Sequence, residues 1–125
     1  MTKDMNDLTG KVIGCGIEVH RALGPGLLES AYEHCLRREM ELRGLSFTSQ
    51  FPLPVKYKGY ELDCGYRIDF LVEEQLVLEI KAVEKVRDIH KAQLLTYMKL
   101  LNIKLGLLIN FNVHLLKNGI DRFIL

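Results

Sequence analysis

The chain has 125 residues, of which 48% are hydrophobic and 26% charged, and its net charge is +1. Length and balance suit a single soluble domain that buries roughly two thirds of its unfolded surface without a disulfide or metal staple. They exclude intrinsic disorder, a collagen-like fibre and a disulfide miniprotein. The near-neutral charge excludes a strong whole-chain attraction for polyanions, so any nucleic-acid binding must use a local basic surface.

The longest apolar run, residues 105–109, is far short of the roughly 20 residues a membrane-spanning helix needs. Residues 1–7 are polar, with no apolar stretch of the kind a signal peptide carries. They are expected to form a flexible N-terminus on one domain covering residues 1–125, in a cytoplasmic protein. Cys15, Cys35 and Cys64 are odd in number, far apart and without a CxxC pair. They are expected to be small buried hydrophobes in a reducing compartment.

From Leu8 to about Leu23, apolar residues recur at Leu8, Val12, Cys15, Val19 and Ala22, the spacing of a helix. Gly14 and Gly16 within it imply close packing or fraying. Gly24-Pro25-Gly26 ends this helix, and a second is predicted from about Leu27 to Arg43. Its apolar stripe is Leu28, Tyr32, Cys35, Leu36 and Met40, and Gly44 stands where a C-terminal cap belongs. Residues 46–51, 55–57 and 60–63 are short, β-branched or aromatic, and punctuated by Pro52, Pro54 and Lys58-Gly59. They predict an edge strand and a hairpin.

Residues 66–72 and 76–83 are the strongest strand candidates, joined by the turn Glu73-Glu74-Gln75. Asp88 is expected to cap a helix reaching Leu101, with Ala92, Leu95, Met98 and Leu101 facing inward. The nearly continuous apolar stretch 104–111 suits a central buried strand, and 120–125 a final short one. The whole is an α/β domain with a mixed sheet flanked by helices.

Chemistry concentrates in Leu76-Val77-Leu78-Glu79-Ile80-Lys81-Ala82. Side chains alternate across a strand, so Glu79 and Lys81 share one face. If the preceding turn is centred on Glu74, Asp69 stands opposite Glu79, and two like charges so placed repel. A divalent cation reverses that sign, because Mg²⁺ is held by one or two carboxylates with water and phosphate oxygens. The competing reading is an ordinary solvated charge cluster. Gln93 and Tyr97, four apart, share a helical face, as do Glu29 and Tyr32, three apart. Taken singly, the tyrosines suit core rings with wet hydroxyls, and Glu29 a favourable first-turn charge.

Gly26-Leu27-Leu28-Glu29-Ser30-Ala31-Tyr32 fits the pattern GxxExxY. With Ile17-Glu18-Val19-His20, Tyr57-Lys58-Gly59, Glu79-Ile80-Lys81, residues 92–97 and residues 106–111, it resembles the GxxExxY protein family of the PD-(D/E)xK nuclease superfamily, over about residues 8–125. The resemblance implies a single-domain PD-(D/E)xK, restriction-endonuclease-like fold with a core sheet of about four strands. It implies that Asp69 and Glu79 bind a metal, Mg²⁺ or Mn²⁺, with the backbone carbonyl of Ile80 as a further ligand. Lys81 would orient or activate water and steady developing charge, Glu29 would support the metal, and Gln93 and Tyr97 would border the site. His20 would line the cleft. No proline precedes Asp69; Ile68 stands there instead.

The expected function is therefore a metal-dependent nuclease or phosphodiesterase that hydrolyses nucleic acid, DNA or RNA. Two alternatives stay open: a catalytically silent protein that binds nucleic acid or nucleotides on the same fold, and a dimeric interaction module, since a homodimer suits every reading. Lys56, Lys58, Lys85, Arg87 and Lys91 are candidates for gripping a polynucleotide backbone, or for an ordinary solvated surface. No zinc spacing, P-loop or GxSxG element is present.

Overall fold

The computed structural model describes residues 3–125. Two helices lead the chain, α1 (Lys3–Leu23) and α2 (Glu29–Leu42). Five strands follow: β1 (Phe47–Pro52), β2 (Val55–Tyr57), β3 (Tyr60–Leu62), β4 (Arg67–Val72) and β5 (Leu76–Lys81). Helix α3 (Asp88–Leu101), β6 (Leu105–Asn110), a 3-10 turn (Leu116–Gly119) and β7 (Ile120–Ile124) complete it. The main sheet has the order β1-β4-β5-β6-β7, and β2-β3 is a separate hairpin. Only β5 and β6 run parallel, with α3 as their crossover; the other neighbours are antiparallel.

Helix α1 begins at Lys3, ahead of the Leu8 start that periodicity predicts. The flexible N-terminus expected over residues 1–7 falls partly outside the described residues. Leu8, Val12, Cys15 and Val19 are buried against Tyr32, Leu36 and Met40 of α2 and against Phe70, Leu78, Ile80 and Ile109 of the sheet. Gly16 explains its own presence. A Cβ there would stand 3.2 Å from Leu116 Cδ2 and 3.4 Å from Ile109 Cδ1, so the glycine lets α1 lie close. The C-terminus of α2 closes as expected: Gly44 takes φ +73° and Leu45 N donates to the Met40 carbonyl.

The opposite face of the sheet carries α3. Its buried residues are Leu94, Tyr97 and Met98, packed on Leu71, Val77 and Leu108. That corrects the predicted inward stripe, because Ala92 is exposed and Leu95 and Leu101 are half-buried. The helix carries apolar residues on two sides, and periodicity alone does not say which side meets the sheet. Gly106 sets how closely α3 approaches, since a Cβ there would collide with the Met98 sulfur.

Three further expectations need correction. Leu28 is 78% exposed because it sits in extended backbone just before α2, outside the helical stripe. Asp88 is the first helical residue of α3, not its cap; Arg87 takes that place, and its N–H donates to His90 Nδ1 at 3.1 Å. Cys64 is exposed in the loop between β3 and β4, while Cys15 is buried and Cys35 half-buried, and all three are free.

Candidate active site

The β4–β5 ladder pairs Val72 with Leu76, Leu71 with Val77 and Phe70 with Leu78. This is the register expected from a turn centred on Glu74, and it makes Asp69 and Glu79 the next pair. There the ladder stops and side chains take over. Asp69 N donates to Glu79 Oε1 at 3.1 Å, and Ile80 N donates to Asp69 Oδ2 at 2.8 Å. Each carboxyl satisfies an amide of the opposite strand. The strands part just where the two acids meet.

A kink on the other side of β4 shapes the same spot. Gln50, in the middle of β1, has φ +54°, and the β1–β4 pairing skips Gln50 and Asp69 between Ser49↔Phe70 and Phe51↔Ile68. The Gln50 amide donates to Glu33 Oε1 at 2.7 Å and to Asp69 Oδ1 at 3.4 Å. Glu33 and Gln50 are thus part of the constellation although the sequence reading missed them. The available signal was Glu33 one turn after Glu29 on α2.

Burial and mutual repulsion govern the charges. Glu79 is 8% exposed. Burial first, and Asp69 next, push its carboxyl up from 4.5 to about 9. Asp69 is also raised, mainly by burial and with help from Glu33, against the opposing effects of the Ile80 amide and Lys81. Glu79 therefore keeps its proton at neutral pH, shared through a side-chain hydrogen bond with Asp69 that favours this form. The Glu29 side chain is exposed, yet partial desolvation of its carboxyl and the charge of Asp69 raise it too, while Lys81 lowers it. So Glu29, Glu33, Asp69, Glu79 and Lys81 feel one another across a single cluster.

Gln93 and Tyr97 border that cluster from α3. Tyr97 is buried, its hydroxyl accepts a hydrogen bond from Gln93, and its ionisation is pushed up by burial and then by Glu79. The Tyr97 ring fills core, and its hydroxyl is near enough to Glu79 and Asp69 to feel their charge.

The GxxExxY segment works as a clamp. Gly26 has φ +100°, which an L side chain rarely adopts. The Tyr32 ring stacks on Phe111 with centroids 4.6 Å apart. Its hydroxyl donates to the Gly24 carbonyl at 2.6 Å and accepts from Leu27 N at 3.1 Å. The loop is thereby fixed at the head of α2, where Glu29 is the first helical residue. Tyr32 has no wet hydroxyl; it holds the turn that delivers Glu29.

A third residue missed by sequence reading, Asn110, does similar work at the end of β6. Its buried amide donates to the Val83 carbonyl at 2.9 Å, and its Oδ1 accepts from Val83 N and Asn112 N. With Phe111 N donating to the Lys81 carbonyl, this anchors the chain just after Lys81. His20 lies elsewhere in function: Nε2 bonds the Val113 carbonyl at 2.7 Å, tying α1 to the loop after β6. Lys91 reaches Asp121 at 4.0 Å, whereas Lys56, Lys58, Lys85 and Arg87 are exposed with no ion pair among the described residues.

The donor set consists of hard oxygens: two carboxylates and, next to them, the Ile80 carbonyl. That chemistry fits Mg²⁺ or Mn²⁺ and does not fit softer metals. Among the described residues no group of three His, Cys, Asp or Glu side chains is gathered tightly enough to hold an ion unaided. A cation here would rely on the carbonyl, water or substrate oxygens for the rest of its shell.

A mixed sheet between helices, opening at a paired-acid site with a lysine two residues on, defines an α/β protein of restriction-endonuclease-like fold. The family comparison agrees: the chain belongs to the PD-(D/E)XK nuclease superfamily, whose model matches residues 6–123. Searches of curated proteins and of solved structures returned no match. Among the described residues no helix is long and apolar enough to cross a membrane.

Proposed function

We propose that the protein is a divalent-metal-dependent phosphodiesterase acting on nucleic acid, within the GxxExxY group of its superfamily. One observation carries this reading: Asp69 and Glu79 converge where the β4–β5 ladder opens, with Lys81 in the same electrostatic cluster. In this reading Asp69, Glu79 and the Ile80 carbonyl hold Mg²⁺ or Mn²⁺. The bound ion supplies Lewis acidity at the phosphoryl oxygen and a more acidic water.

The remaining work falls to the chain. Lys81 donates a hydrogen bond to charge developing on the phosphoryl oxygens, at an edge partly screened from solvent. The Glu29 carboxyl, raised by partial desolvation and Asp69, would accept a hydrogen bond from the attacking water. Gln93 fixes the Tyr97 hydroxyl at the border of the acids, and Glu33 and Gln50 hold Asp69 in place. Exposed Lys56, Lys58, Lys85 and Arg87 supply the local basic surface that a chain of net charge +1 needs for phosphate. A cytoplasmic site of action belongs to the same reading.

The test is cleavage of labelled DNA and RNA oligonucleotides with Mg²⁺ or Mn²⁺. Wild type is expected to cleave one or both, and Asp69→Ala and Lys81→Ala to lose at least about a hundredfold in rate. A second reading, a silent nucleic-acid-binding protein, is favoured by one observation: among the described residues no ready three-residue metal cluster is assembled. Binding without cleavage under every metal would favour it.

A further inference from the structure

Beside the acids, on the α3 side, lies a groove of about 390 Å³ whose lining includes Val55, Tyr66, Ile89, Gln93, Tyr97 and Leu100. This volume falls at the small-ligand end of the usual range of about 300–1,000 Å³. Gln93 and Tyr97 belong to both the groove and the border of the acid cluster, so the two spaces share a wall. The groove is mostly apolar, yet it is open to solvent: Ile89 is 69% and Tyr66 45% exposed. Large apolar side chains left exposed around a concavity mark a binding site more often than chance placement.

We propose that this groove takes an unpaired base of a single-stranded polynucleotide, immediately next to the phosphate that the acid cluster handles. Three features select that occupant. The Tyr66 and Tyr97 rings are 6.2 Å apart and inclined at 56°, so they do not stack on each other, and the exposed Tyr66 ring is free to stack on a ligand. A base has apolar faces and a polar edge, matching apolar walls interrupted by the Gln93 amide and the Thr96 hydroxyl. Cations flank the groove in sequence on both sides: Lys56 follows Val55, and Arg87 lies two residues before Ile89. Both are exposed and make no ion pair among the described residues. Aromatic stacking beside a basic track is how single strands are held without strong sequence preference. A duplex keeps its bases stacked inside, so it cannot fill the groove without unpairing a base.

The inference rests on the nucleic-acid reading of the acid site and names its substrate class. The experiment measures anisotropy of labelled 12-mers of oligo-dT and oligo-rU, and of a duplex of equal length, in EDTA, where cleavage cannot intervene. Single strands are expected to bind more tightly than the duplex, with the dT and rU arms separating DNA from RNA. Tyr66→Ala should weaken single-strand binding about 5- to 100-fold, and Tyr66→Phe should restore it. Ile89→Glu, at a position exposed enough to tolerate the change in folding, should weaken it as well. Equal binding of single strand and duplex, unchanged binding by Tyr66→Ala, or no binding of any oligonucleotide would overturn the proposal. Cleavage of the same oligonucleotides by wild type, compared with Asp69→Asn, reports separately on the nuclease reading. Cleavage with no Tyr66 dependence of binding would leave the nuclease standing and the groove proposal refuted.

Discussion

Replacing Glu79 with glutamine turns the buried acid pair into a stability measurement. In the metal-free protein the folded state keeps a proton on Glu79 up to about pH 9, whereas the unfolded chain releases it near 4.5. Between those values folding takes up a proton, so stability must fall as pH rises. Below 4.5 both states are protonated and this contribution is fully present; it is lost progressively until the folded group ionises. A full one-proton difference is worth about 1.4 kcal/mol per pH unit, so pH 6 to 8 should cost wild type about 3 kcal/mol through this group. Glu79→Gln keeps an acceptor for Asp69 N and an N–H donor for the Asp69 carboxylate, but cannot ionise. Its stability should therefore lack that slope, and the variant should gain on wild type by about 3 kcal/mol over the same interval. Urea denaturation followed by far-UV circular dichroism, with EDTA present, reads this directly; the chain has no tryptophan for fluorescence. Parallel pH profiles for the two proteins would show that Glu79 does not carry the shared proton.

Other substitutions probe the supports of the site. Tyr32→Phe removes a buried hydroxyl that serves both the Gly24 carbonyl and the Leu27 amide. It should destabilise the protein by about 1–3 kcal/mol in urea denaturation and reduce metal-dependent cleavage by loosening the turn before Glu29. Gly106→Ala forces a Cβ into the Met98 sulfur; a loss of about 1–3 kcal/mol in the same assay is expected. Glu73 and Glu74 both adopt positive φ, +52° and +55°, in the hairpin turn joining β4 to β5. Glu74→Gly should therefore raise the denaturation midpoint, by roughly 1 kcal/mol of stability.

The legible parts of this structure were those with local or strictly alternating signals. The Glu73–Gln75 turn, followed by the apolar residues Leu76, Val77 and Leu78, fixes the β4–β5 register, and that register alone brings Asp69 opposite Glu79. The Gly24-Pro25-Gly26 break likewise delivers Glu29 to the first turn of α2. What stayed hidden depends on distant partners. Gln50 reaches Glu33 and Asp69 only because β1 kinks at a non-glycine residue with positive φ. Asn110 is one polar residue at the end of an apolar run, and its role exists only once the loops after β5 and β6 meet. The phase of α3 was misread because Ile89, Ala92 and Thr96 face the groove while Leu94, Tyr97 and Met98 face the sheet. Two apolar sides on one helix are a packing question that spacing cannot decide. The same ambiguity marks where the groove lies.

Calorimetric titration of the metal-free protein with Mn²⁺ tests the central claim most directly, because it needs no choice of substrate. Wild type should bind Mn²⁺ and release protons on binding at pH 7, as the proton held by the Asp69–Glu79 pair gives way to the ion. Repeating the titration in buffers of different ionisation enthalpy counts those protons. Asp69→Ala should lose both the binding and the proton release. Equal Mn²⁺ binding by wild type and Asp69→Ala, with no proton released, would contradict the assignment of these acids as the metal site.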